Sequence, residues 1–100
     1  NLTMGDGIVE PIMVAETTAS MFGMARVAPI AGRALTDADA SAAAPPVMVL
    51  GERLWRERFG ADPAIIGTRL LVSDVPTTVV GLMPADFRFP ASHEVWQPLK

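Results

Sequence analysis

Apolar and polar positions alternate in blocks short enough to predict strands broken by short helices. Ile8 to Ala15 is apolar except at Glu10 and Pro11 and predicts one strand. Its proline puts that end at a sheet edge or a bulge, because proline cannot donate to a ladder. Thr17 or Thr18 then offers an N-cap for a short helix carrying Met21, Phe22 and Met24. Pro46 leads into Val47-Met48-Val49-Leu50, the continuous apolar run of a buried strand, and Gly51 serves as N-cap for the helix that follows. Here Leu50, Leu54, Trp55 and Phe59 fall on one side, while Glu52 with Arg56 and Arg53 with Glu57 make i,i+4 pairs on the other. Each pair is worth about 0.2–0.5 kcal/mol. Gly60 is the expected left-handed stop, and Asp62-Pro63 restarts a helical turn that Gly67 ends.

Beyond Gly67 the pattern turns to strands rich in Thr and Val. Arg69 to Val72 and Thr77 to Met83 read as a hairpin joined by a turn at Ser73 to Pro76, with Gly81 marking a bulge or a close backbone approach. Phe87 and Phe89, two positions apart, face the same side, and a last strand over Glu94 to Leu99 puts Val95 and Leu99 on one face and Trp96 on the other. Upstream, Thr36-Asp37-Ala38-Asp39 reads as a capping box with Asp39 at the third helical position, followed by a surface loop from Ala38 to Pro46 that is the best candidate for mobility. Short helices among strands and a hairpin argue for α+β: a small mixed sheet with short helices packed on it.

Composition narrows the function classes. At 100 residues, half of them apolar, the chain has room for one modest core. A formal charge of −3, from 11 acidic and 8 basic residues with no basic run, argues against a nucleic-acid partner. No stretch approaches the roughly 18 apolar residues that span a bilayer. Cysteine is absent, which removes disulfides and thiolate chemistry and leaves the redox compartment open. Since the chain starts at Asn1 without a leader pattern, residues 1–100 read as a single domain or subdomain excised from a longer membrane protein, whose anchors would lie elsewhere.

Candidate chemistry is sparse. His93 is the sole histidine and reads as a solvated loop residue, since one imidazole makes no metal cluster and no triad spacing accompanies it. Capping explains Asp37 and Asp39 better than half of a metal site. The methionines at 4, 13, 21, 24, 48 and 83 read as core packing, with Met21 and Phe22 as candidate partner contacts. Arg33 and Arg88 each have two readings, a carboxylate on a partner or an internal salt bridge. No catalytic residue, metal ligand or cofactor-binding residue is assigned.

The order of these motifs resembles a known family. The segments MFGMARVAPIAGRALTDAD, APPVMVLGERLWRERFGADPAIIG, VSDVPTTVVGLMPADFRFP and EVWQPL are similar to the extracytoplasmic core domain of MacB-like ABC transporter permeases, related to the FtsX and LolC type. The resemblance runs from about Val14 to Leu99. It rests on the joint order of Gly32-Arg33, Leu54-Trp55, Phe59-Gly60, Asp62-Pro63, Gly67, Pro76, Val79-Val80-Gly81 and Phe87-Phe89-Pro90. It implies a non-catalytic domain on the periplasmic side of the bacterial inner membrane, between the first two transmembrane helices. Such a domain couples ATP-driven movement to a periplasmic adaptor or cargo, with a second permease copy as dimer mate and the ATPase as a separate cytoplasmic domain or subunit. The chain departs from the pattern at Ala25-Arg26, where a helix-ending Leu-Gly is common. At Ser73-Asp74 the favoured Asn-Gly turn is replaced, which puts the two-residue hairpin geometry in question, and at Thr77 a common aromatic is lost, at a cost in apolar contact. The family domain is usually longer, so a missing N-terminal strand and helix would leave an edge exposed. The runner-up reading is a free-standing intracellular interaction module whose strand edge or Met-rich helix binds a peptide.

Overall fold

The computed structural model describes residues 2–3, 9–10, 14–18, 20–21, 28–85 and 95–99. Among them eight strands form one mixed sheet: β1 Leu2–Thr3, β2 Val9–Glu10, β3 Val14–Thr17, β4 Ala31–Gly32, β5 Val47–Gly51, β6 Arg69–Val72, β7 Val75–Met83 and β8 Val95–Pro98. The order across the sheet is β2-β1-β6-β7-β5-β8-β3, with β4 also paired to β7. β5 runs parallel to β7, and β3 runs parallel to β8; the other pairings are antiparallel. The α-helix α1 Glu52–Phe59, two 3-10 turns, Asp37–Ala40 and Pro63–Ile65, and helical backbone at Ser20 and Met21 accompany the sheet among the described residues. The expected α+β mixed sheet is the architecture found.

The centre is β5, every residue of which is buried between β7 and β8. Period-two alternation sends Met48 and Leu50 to one face and Val47 and Val49 to the other. Both faces are apolar because both are covered. The first face packs Leu54, Ile65, Leu70, Val72, Val79, Leu82 and Val95 around Met48 and Leu50, with α1 laid over it and Trp55 and Phe59 half-buried at its margin. Against the second face, Ala15, Val49, Met83 and Trp96 pack under Leu35, which the segment after β4 inserts. Each fully buried side chain of this kind stabilises the fold by about 1.5–3 kcal/mol.

Alternation along β7 breaks once, and the break has a structural cause. Met48 pairs with Val79, but Val49 pairs with Gly81, so Val80 is an extra residue opposite β5. This bulge resets the register so that Leu82 joins Met48 and Leu50 on the first face. Without it, Leu82 would point to the second face and Met83 to the first.

Several expectations change. Ile8 to Ala15 is not one strand: Val9–Glu10 and Val14–Thr17 lie at opposite ends of the strand order. Pro11, which lacks the donor a ladder needs, falls in the interval between them. Of the two N-cap candidates, Thr17 instead ends β3, while Thr18 stands just ahead of helical Ser20 and Met21 and its carbonyl receives the Met21 N–H. Leu50 belongs to β5, not to the helix, because Gly51 is where the chain turns. Val75 and Pro76 are strand residues, so the hairpin turn is only Ser73-Asp74, with both residues at positive φ, 48° and 69°. The two-residue geometry thus survives without Asn-Gly, since serine and aspartate adopt the left-handed region at modest cost. Thr77 is fully buried yet satisfied, its hydroxyl donating to the Val75 carbonyl at 3.0 Å. Leu99 lies past β8 and is exposed, its N–H donating to the Thr17 carbonyl. Val95 and Trp96 face opposite sides as predicted. Phe22, Ala25, Arg26, Phe87, Arg88, Phe89 and His93 lie outside the described residues.

Candidate functional site

The motif residues gather in two places. The first is the antiparallel pairing of β4 with β7 at its bulge. Gly32 and Gly81 are register partners, and the flanking bonds are Arg33 N–H to Val80 O at 2.9 Å and Ile30 N–H to Leu82 O at 2.8 Å. A Cβ on Gly81 would sit 1.9 Å from the Arg33 carbonyl oxygen, and one on Gly32 would sit 2.2 Å from the Val80 oxygen. Only two glycines let these backbones meet. Gly81 therefore serves both predicted roles, bulge and close approach.

From this pairing the chain is clasped. Arg33 donates to Asp39 twice, Nη1 to Oδ2 at 2.8 Å and Nη2 to Oδ1 at 3.0 Å. Asp39 Oδ2 also accepts the Thr36 N–H at 2.7 Å and its hydroxyl at 3.1 Å. The predicted capping interaction is thus present, and of the two readings of Arg33 the internal salt bridge is the one found. The Arg33 guanidinium, aided by the Thr36 backbone, holds the Asp39 carboxyl below the usual carboxylate range, against the opposing effect of burial. The same pairing raises the Arg33 guanidinium. Asp39 is almost wholly buried while Arg33 stays half in solvent, so the pair fixes the loop's shape and places Leu35 on the second face.

The second cluster is α1 and its stop. Leu54 is buried, and the half-buried Trp55 donates its indole N–H to the Asp62 carbonyl at 2.8 Å. Gly60 adopts φ 61° and ψ 25°, the left-handed stop expected of it, and Ala61 N–H bonds to the Trp55 carbonyl. Asp62 Oδ1 then caps the next turn by accepting the Ala64 N–H at 2.9 Å, with Pro63 first in the 3-10 turn. Gly67, at φ 91°, returns the chain to β7 through its N–H to Val79 O. On the outer side the two i,i+4 pairs form as predicted, Arg56 with Glu52 at 2.8 Å and Arg53 with Glu57 at 3.4 Å. Arg56 also lies 5.8 Å from the Trp55 ring centroid.

Glu52 does something the sequence does not disclose. Its Oε1 accepts the Ala85 N–H at 3.2 Å, tying the start of α1 to the chain leaving β7. Arg56 and this N–H together keep its carboxyl below the usual range. Among the candidate partner contacts, Met21 is half-buried and its sulfur receives the Thr17 hydroxyl, while Phe22 and Arg88 are outside the described residues.

Chemically, both clusters shape backbone and bury apolar surface; neither directs a nucleophile and a base at a common point. Among the described residues there is no group of three His, Cys, Asp or Glu side chains placed to hold a metal ion, and no helix long and apolar enough to cross a membrane.

This architecture has known counterparts. The periplasmic region of MacB from Actinobacillus actinomycetemcomitans superposes with a TM-score of 0.79 at 19% identity, over 98% of this chain and 42% of that one. The extracellular domain of the noncanonic ABC-type transporter YknZ from Gram-positive bacteria gives a TM-score of 0.66 at 15% identity, over 88% of this chain and 43% of that one. At such identities the likeness establishes the fold, and the chain spans less than half of either structure. No curated protein matches the chain in sequence. The model of the MacB-like periplasmic core domain, however, matches residues 2–100, practically the whole chain. The chain belongs to the MacB-like periplasmic core domain family.

Proposed function

We propose that the chain is an extracytoplasmic part of an ABC transporter permease, on the periplasmic side of a bacterial inner membrane, and that it works without chemistry of its own. In this reading it couples ATP-driven motion of transmembrane helices to an adaptor or cargo protein outside the membrane. A second permease copy stands beside it, and the ATPase is a separate cytoplasmic domain or subunit.

The observation that carries the reading is the sheet itself, with one helix on one face, a clasped loop on the other, and a glycine-on-glycine contact joining that loop to the bulge. A body packed on both sides moves as a unit, because close-packed interiors do not deform gradually. Tilt imposed at one edge would reach the other edge undiminished, as in rigid-body switching between packed domains. Family membership supports the membrane context.

The test uses the absence of cysteine. A single Ser41→Cys in an otherwise cysteine-free full-length parent is exposed to a membrane-impermeant thiol reagent in cells whose outer layers admit it. Labelling with the inner membrane intact agrees with the proposal. Labelling only after lysis puts the chain in the cytosol and hands the case to a free-standing interaction module.

A further inference from the structure

We draw no further inference here: the strongest candidate, the open groove of about 250 Å³ at the ends of β3, β5 and β8 lined by Glu16, Pro46, Val47, Gln97 and Pro98, carries nothing because nothing in the structure shows what covers it.

Discussion

Replacing Gly81 by alanine adds one methyl group at the point where β4 pairs with the bulge of β7. That carbon would lie 1.9 Å from the Arg33 carbonyl oxygen and 2.9 Å from its carbonyl carbon, both backbone atoms that cannot rotate away. β4 must withdraw by more than an ångström, roughly the difference from an ordinary van der Waals separation. Two bonds stretch as it does so, Arg33 N–H to Val80 O and Ile30 N–H to Leu82 O, each worth about 0.5–1.5 kcal/mol net. Leu35, anchored by the same segment, loses part of its packing on Met83 and Trp96. Alanine's smaller backbone entropy cost returns about 0.5–1 kcal/mol. The balance is a destabilisation of about 2–4 kcal/mol, which in a chain of this size lowers Tm by roughly 10–25 °C. Thermal unfolding followed by circular dichroism reads it, and Gly60→Ala is the comparison. Gly60 has positive φ but open space around its missing Cβ, so alanine there suffers only backbone strain of about 1–2 kcal/mol. If Gly81→Ala costs no more than Gly60→Ala, the close-approach reasoning is wrong.

Other perturbations separate the remaining contributions. Asp39→Asn keeps the side chain's shape but removes the charge that Arg33 and Thr36 share, and a loss of about 1–2 kcal/mol is expected at neutral pH. Because the folded-state pKa of Asp39 is depressed, its stabilisation is complete above the unfolded carboxylate pKa and fades as pH falls through the lower folded value. Urea midpoints between pH 6 and pH 2 should therefore decline less steeply in Asp39→Asn, and identical slopes would count against the clasp. Leu35→Ala empties a nearly full site on the second face and should cost about 2–4 kcal/mol in urea unfolding, whereas an effect as small as a surface substitution would mean that the loop does not seal that face. The double change Ser73→Asn with Asp74→Gly suits two left-handed positions better than the native pair and should raise Tm by about 2–4 °C; a fall would refute the two-residue turn.

The parts that could be read from sequence are those whose determinants lie close together in it. Gly51, Gly60, Asp62-Pro63 and the Thr36-to-Asp39 box each act within a few residues, and all are found as read. The buried run of β5 and the existence of the hairpin are likewise local. What escaped depends on partners far along the chain. β4 is two residues long and carries no period of its own; only Gly81, some fifty positions later, makes it a strand. The parallel pairing of β3 with β8, and the insertion of β8 beside β5, are set by how the two faces fill rather than by any local signal. The split of the Ile8-to-Ala15 run shows the same limit, since an apolar stretch reports burial but not which edge buries it. For the candidate site, Gly32, Arg33 and Gly81 were each visible as motif residues, yet their meeting was not. Asp39 was visible as a cap, and its bond to Arg33 required the loop's fold. Glu52 read as a surface ion pair because Ala85 lies 33 positions away.

The central claim is rigid-body transmission, and a distance measurement in the full-length parent tests it. Spin labels on Ser41→Cys and Asp74→Cys, in the clasped loop and at the hairpin tip, report the interior of the domain, while labels on Ser41→Cys alone report the separation of two copies. Pulsed electron paramagnetic resonance in membranes, without nucleotide and with ATP trapped, should give an unchanged distance within the domain and a shifted distance between copies. A change within the domain, or no change between copies while transport continues, would contradict the account.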